Sequence, residues 1–152
     1  MLKKLKLYLD TSEPNAYFDE KNQQRQIITR QFWQKLGNYN VHISDLVKDE
    51  IAATQNEKLK QNLLTLIKPF VILSSRTKEI DDLAKEYLSR EIVPVKYIAD
   101  AVHIAVATIN DIDILVSWNF EHIVKLKTKR EVNATNILLG YNQLEIIEPA
   151  ML

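Results

Sequence analysis

The run Leu5-Lys6-Leu7-Tyr8-Leu9-Asp10-Thr11-Ser12 constrains the fold more than any other part of the chain. It reads as a short strand that stops at an acid and two hydroxyls. Leu5, Leu7, Tyr8 and Leu9 suit a strand covered on both faces, as in the centre of a parallel sheet. Asp10 would then stand at the strand's carboxyl end. In open α/β sheets, ligands bind in the crevice outside those ends.

Downstream, helical and extended patterns alternate. Glu13-Pro14 opens a helical turn. Gln23–Leu36 reads as a helix with Ile27, Ile28, Phe32, Trp33 and Leu36 as its apolar set, stopped by Gly37-Asn38. Asn40–Ile43 is a short strand. Ser44 is placed to cap a helix from Asp45 to about Thr54, with Glu50 inside its apolar stripe. A helix over Glu57–Ile67 precedes a strand over Phe70–Leu73, and Thr77–Ser89 is helical. The most apolar helix runs from about Tyr97 to Asn110 and must be buried, with Asp100 in its first turn. Ile112–Ser117 is a strand, Thr128–Tyr141 a helix ending at Gly140, and Leu144–Ile147 an edge strand. The alternation predicts an α/β fold with three layers, α/β/α, around a mostly parallel sheet of four to five strands.

Composition bounds what such a fold can do. A chain of 152 residues is expected to form a single domain over 1–152. Cysteine is absent, which excludes disulfides and thiolate metal sites. Twenty Lys and Arg balance twenty Asp and Glu, which argues against coating nucleic acid by bulk charge and allows a local basic face. The two glycines, Gly37 and Gly140, form no phosphate-binding loop. No stretch has signal-peptide or membrane-span character, so a cytoplasmic protein with no membrane partner is expected.

Three acids stand in apolar surroundings: Asp10, Glu50 and Asp100. Each has an ordinary explanation. Asp10 can satisfy amides in a turn, Asp100 can face a helix dipole, and Glu50 can reach water or a lysine. As a set they suit Mg²⁺ or Mn²⁺, hard cations that take oxygen ligands. Zinc suits them poorly, because His42, His103 and His122 lie in three different elements. In phosphodiester cleavage such an ion lowers the pKa of a bound water and steadies the leaving oxygen, with no covalent nucleophile.

Leu9-Asp10-Thr11-Ser12, Val47-Lys48-Asp49-Glu50-Ile51, Ala99 to Ala105 around Asp100, and Leu115-Val116-Ser117-Trp118-Asn119-Phe120 resemble, in order and spacing, the motifs of the PIN domain. The similarity spans nearly the whole chain and is greatest to the VapC-like group, many of which are toxins of type II toxin–antitoxin systems. The resemblance implies a PIN-like fold and a metal-dependent ribonuclease that hydrolyses RNA phosphodiester bonds. It also implies a small antitoxin partner and self-association as a dimer. Asp10, Glu50 and Asp100 map to the first three acidic positions and would hold the ion. The fourth position holds the neutral Asn119, which can act only through its amide or a water. One negative charge fewer weakens the hold on a second cation. Glu121, two residues on, is the nearest substitute.

Around that set, Thr11, Ser12 and His103 are secondary candidates. The hydroxyls can hold Asp10 or a phosphate, and His103 lies one turn after Asp100. Trp118 and Phe120 read as core rather than as base-stacking platforms. Lys125, Lys127, Lys129 and Arg130 make a basic cluster able to meet an RNA backbone. Two other functions compete. Asn119 motivates a catalytically weak or inactive RNA- or protein-binding module on the same fold. A phosphotransfer enzyme with Asp10 as nucleophile would need an acid two residues later, where Ser12 stands.

Overall fold

A computed structural model describes residues 3–152. Its centre is a five-stranded sheet in the order β3-β2-β1-β4-β5, every neighbouring pair parallel. The strands are β1 (Lys6–Leu9), β2 (Asn40–Ser44), β3 (Val71–Leu73), β4 (Ile114–Val116) and β5 (Glu145–Ile147). The helices are α1 (Ser12–Tyr17), α2 (Gln23–Lys35), α3 (Asp45–Ala52), α4 (Glu57–Ile67), α5 (Lys78–Ser89), α6 (Ile98–Ile109) and α7 (Leu126–Leu138).

The two-residue period of a strand sorts the layers. Leu7 and Leu9 of β1 point to one face, where they pack with Val41, Ile43, Phe32, Val47, Ile51 and Leu63 beneath α2, α3 and α4. Tyr8 points to the other, among Ile80, Leu83, Tyr87, Ala101, Ile104 and Ala105 beneath α5 and α6. Leu7, Tyr8 and Leu9 are fully buried. A buried leucine stabilises by roughly 1.5–3 kcal/mol, so β1 anchors both layers.

Several local expectations are corrected. Leu5 precedes β1 and is half exposed, because only the residues flanked by both β2 and β4 are covered. Ile27 is also exposed; Thr29 takes the inward place on α2, where its hydroxyl accepts from Trp118 Nε1 at 2.8 Å. Ser44 makes no side-chain cap on α3, because its hydroxyl is drawn to Tyr8 instead. The last helix begins at Leu126 and ends at Leu138. Gly140 lies past that end at φ +84°, a left-handed turn that glycine adopts without strain. Phe120 is exposed while Trp118 is buried, so only one of the two aromatics is core.

The chain moves outward from β1 through β2 to β3, then returns to place β4 on β1's other side. The strand order reverses between β1 and β4. That reversal opens a crevice at their carboxyl ends, the place where such sheets bind ligands. Asp10 follows β1 and Ser117 follows β4.

Candidate active site

Asp10 lies in that crevice, 4 % exposed. Two hydroxyls fix its carboxylate. The Trp118 N–H donates to Ser12 Oγ at 2.9 Å, which leaves the Ser12 hydroxyl to donate to Asp10 Oδ1 at 2.5 Å. The Asn119 N–H donates to Ser117 Oγ at 2.9 Å, and Ser117 in turn donates to Asp10 Oδ2 at 2.7 Å. The backbone after β4 thus sets the orientation of an acid at the end of β1. Burial nevertheless raises the Asp10 carboxyl above its ordinary range. The nearby His103 and the two hydroxyls oppose that rise, and the negative charge of Asp100 adds to it.

Glu50 reaches the crevice from α3. It is not immersed in apolar side chains as its helical stripe suggested: more than a third of its side chain is exposed. Thr11 Oγ1 donates to Glu50 Oε1 at 2.7 Å and His103 Nε2 lies 2.8 Å from the same oxygen. Partial burial pushes the Glu50 carboxyl up, but the His103 contact and the Thr11 hydroxyl outweigh it. The group ends below its usual range and is ionised at neutral pH. A carboxylate can only accept, so His103 Nε2–H donates to it. His103 Nδ1 lies 2.7 Å from the Tyr8 hydroxyl, and the same hydroxyl lies 2.8 Å from Ser44 Oγ. Burial drives the Tyr8 phenol far above its ordinary pKa, which keeps it a neutral donor. His103 is 2 % exposed and belongs to both the core and the site. Tyr8→Phe should cost about 1–3 kcal/mol, because it strands the buried partners Ser44 and His103; urea unfolding of the variant measures this.

Asp100 enters from the first turn of α6. His122 Nδ1 lies 2.9 Å from its Oδ2, and the His122 ring stacks on Tyr97 with centroids 4.0 Å apart. Asn119 Oδ1 accepts the His122 N–H at 3.0 Å. That oxygen is thus committed to the turn that seats His122, while the amide N–H groups make no hydrogen bond among the described residues.

One cavity of about 350 Å³ collects Asp10, Thr11, Ser12, Asn15, Glu50, Asp100, His103 and Asn119 in its wall. The three acids therefore face a common space. Lys125, Lys127, Lys129 and Arg130 do not line it; they lie at the start of α7, and Lys125, Lys127 and Arg130 are exposed. Glu121 lies 79 % exposed and is likewise outside the cavity wall.

The donor set suits a divalent cation in some respects and stops short in one. Its oxygens are hard, and each carboxylate is oriented by a hydroxyl or imidazole, as ligating carboxylates are. Asp10 and Asp100 repel each other, a tension that a cation relieves. Among the described residues, however, no group of three or more His, Asp or Glu side chains closes into a ready cage. Mg²⁺ does not require one, since it is held through one or two carboxylates and keeps several waters.

Tyr8, Ser117 and His122 hold the site's acids and escape a reading of the sequence alone. Ser117 and His122 flank Asn119 within Ser117-Trp118-Asn119-Phe120-Glu121-His122, and only that adjacency hinted at them. Tyr8 gave no signal beyond its place in β1. Glu13 is also a surprise: it is fully buried, and both its oxygens lack a hydrogen-bond partner.

The architecture is shared with solved structures of VapBC proteins. VapBC2 from Rickettsia felis, bound to a DNA fragment from their promoter, matches with TM-score 0.59 at 11 % identity, covering 95 % of this chain and 98 % of that one. DNA-bound VapBC from Salmonella typhimurium matches with TM-score 0.59 at 15 % identity and the same coverage. VapBC-1 from nontypeable Haemophilus influenzae gives 0.60 at 14 %, again over 95 % and 98 %. No protein-family model and no curated protein matches the sequence. The chain has the PIN-like fold of these VapBC proteins, as its motifs led one to expect. No helix among the described residues is long and apolar enough to cross a membrane.

Proposed function

We propose that this protein is a divalent-metal-dependent endoribonuclease of VapC type, a cytoplasmic toxin restrained by a small antitoxin and working as a dimer. The observation that carries the reading is the common cavity onto which Asp10, Glu50 and Asp100 open at the β1/β4 reversal. The VapBC fold neighbours support the antitoxin partner.

Asp10 and Asp100 would hold Mg²⁺ or Mn²⁺, with Glu50 completing the set through Oε2. A bound ion supplies a water acidic enough to attack a phosphodiester near neutral pH. The protein's own groups divide the remaining work. Ser12 and Ser117 keep Asp10 aimed into the cavity, and His122 does the same for Asp100. Glu50, held ionised by His103 and Thr11, can accept a proton at Oε2. The Asn119 amide can donate to a phosphate oxygen or a water.

Purified protein incubated with tRNA, rRNA and mRNA should cut at least one of them with Mg²⁺ or Mn²⁺ and none in EDTA. Folded protein that leaves all three intact with either ion would reject the proposal. Asn119 favours a second reading, an RNA- or protein-binding module without turnover. Saturable RNA binding with no metal-dependent cutting would establish it. Phosphotransfer through Asp10 has less support, because serines hold both of its oxygens and no acid stands at position 12.

A further inference from the structure

A cavity walled by three acids repels the phosphates of its own substrate, so a strand needs a cation nearby to hold it. No lysine or arginine lines the carboxylate cavity. The adjoining cleft, about 890 Å³, shares Ser12, Asn15 and Asn119 with it, so the two spaces meet at those side chains. The cations in that cleft are Lys21 and Arg25.

Arg25 is unusual in its setting. It is half-buried on the first turn of α2, with its guanidinium 4.8 Å from the centroid of the Trp118 ring. Its backbone N–H is capped by Asn22, but its side chain makes no hydrogen bond and no ion pair among the described residues. The indole face attracts the guanidinium and leaves its N–H fork free. The neighbouring acid, Glu13, lies fully buried without a partner, and burial pushes its carboxyl well up. Glu13 makes no hydrogen bond or ion pair with Arg25, so the guanidinium fork is left without an anion of its own among the described residues. Asp19 and Glu20 stand on the same rim, so the cleft is no basic trough and a phosphate would have to be met by the Arg25 fork itself.

We infer that this cleft is the subsite for the RNA strand next to the cut phosphodiester, with Arg25 clamping a backbone phosphate against Trp118 and Lys21 assisting at the rim. The inference rests on the ribonuclease reading and places the backbone contact here rather than on the basic start of α7. A guanidinium beside an aromatic ring is a combination that proteins use to track single-stranded nucleic acid.

The test is fluorescence anisotropy of a 5′-fluorescein, 12-nucleotide, mixed-sequence single-stranded RNA, titrated with full-length protein in EDTA so that cutting is off. Arg25→Gln should weaken binding about tenfold, as loss of a charged hydrogen-bonded contact does. It should also lower the steepness of log K against log salt by about 0.7. Lys21→Glu, at an exposed position that tolerates change, should weaken binding severalfold and decides the matter if Arg25→Gln does not fold. Unchanged affinity in these variants overturns the inference, as does a loss seen only in Lys127→Gln/Arg130→Gln. Failure of the wild type to bind the RNA overturns it too. An equal Arg25-dependent affinity for a poly-glutamate peptide would assign the cleft to protein carboxylates and overturn it. Binding that depends on Arg25 in a protein that never cuts RNA upholds the subsite and rejects the nuclease.

Discussion

Asp10→Asn should abolish metal-dependent RNA cleavage and leave the protein as stable as before or more so in EDTA. The two effects have one cause. Asp10 is buried beside Asp100, and its carboxyl is raised by desolvation. An acid whose folded pKa lies above its unfolded value of about 3.9 binds its proton more tightly when folded. Stability from that group is greatest at low pH and falls as pH rises through the folded pKa. At neutral pH the tendency of Asp10 to lose its proton and carry a buried charge therefore opposes folding. Asparagine removes that charge while Ser12 and Ser117 remain available as partners, since a serine hydroxyl both donates and accepts. Cleavage should fall by about 100-fold or more, because even partners one step removed from a metal are worth roughly 10–100-fold. Thermal unfolding and a cleavage assay on the same preparation read both effects. A variant that loses stability and activity together would show Asp10 to be structural.

Glu13→Met should stabilise the protein by about 1–3 kcal/mol, the cost of leaving a buried polar group unsatisfied. For a chain this size that is an increase in Tm of roughly 2–12 °C. Methionine matches the length of the side chain and brings no polar atom. The pH dependence separates this cause from improved packing. Burial, and to a lesser degree the charge of Asp10, raise the Glu13 carboxyl well above its usual value, while Arg25 pulls it down only in part. Wild-type stability relative to the variant should therefore decline as pH rises from about 4.5 towards the folded pKa. Glu13→Gln should flatten that decline yet stabilise less, since its amide is equally unpartnered. A Glu13→Met protein that unfolds at lower temperature than wild type at every pH from 5 to 8 would mean that Glu13 has a partner in solution.

How much of this was legible in the sequence depended on whether a residue's role is local. β1 was readable because Leu7, Tyr8 and Leu9 are apolar on both faces and end at an acid. The candidate acids were readable because an ionisable group in or beside an apolar run is costly wherever the chain goes. Their supports were not. Ser117 finds Asp10 across 107 positions and Tyr8 finds His103 across 95, and no spacing rule reaches that far. Glu50 was placed among apolar residues by helical periodicity. The periodicity fixes its face on α3 but not that this face overhangs an open crevice. Ser44 shows tertiary structure overriding a local preference: a sound N-cap residue gives up the cap to join a buried chain of hydroxyls ending at His103.

In the proposed ribonuclease, Asp10 and Asp100 share a divalent ion. Anomalous diffraction from crystals soaked in Mn²⁺ tests it most directly. A peak should stand in the crevice between the carboxyl ends of β1 and β4, touching both carboxylates, and be absent there in Asp10→Asn crystals. A crevice without a peak at saturating Mn²⁺, or a peak bound only elsewhere on the surface, would contradict it.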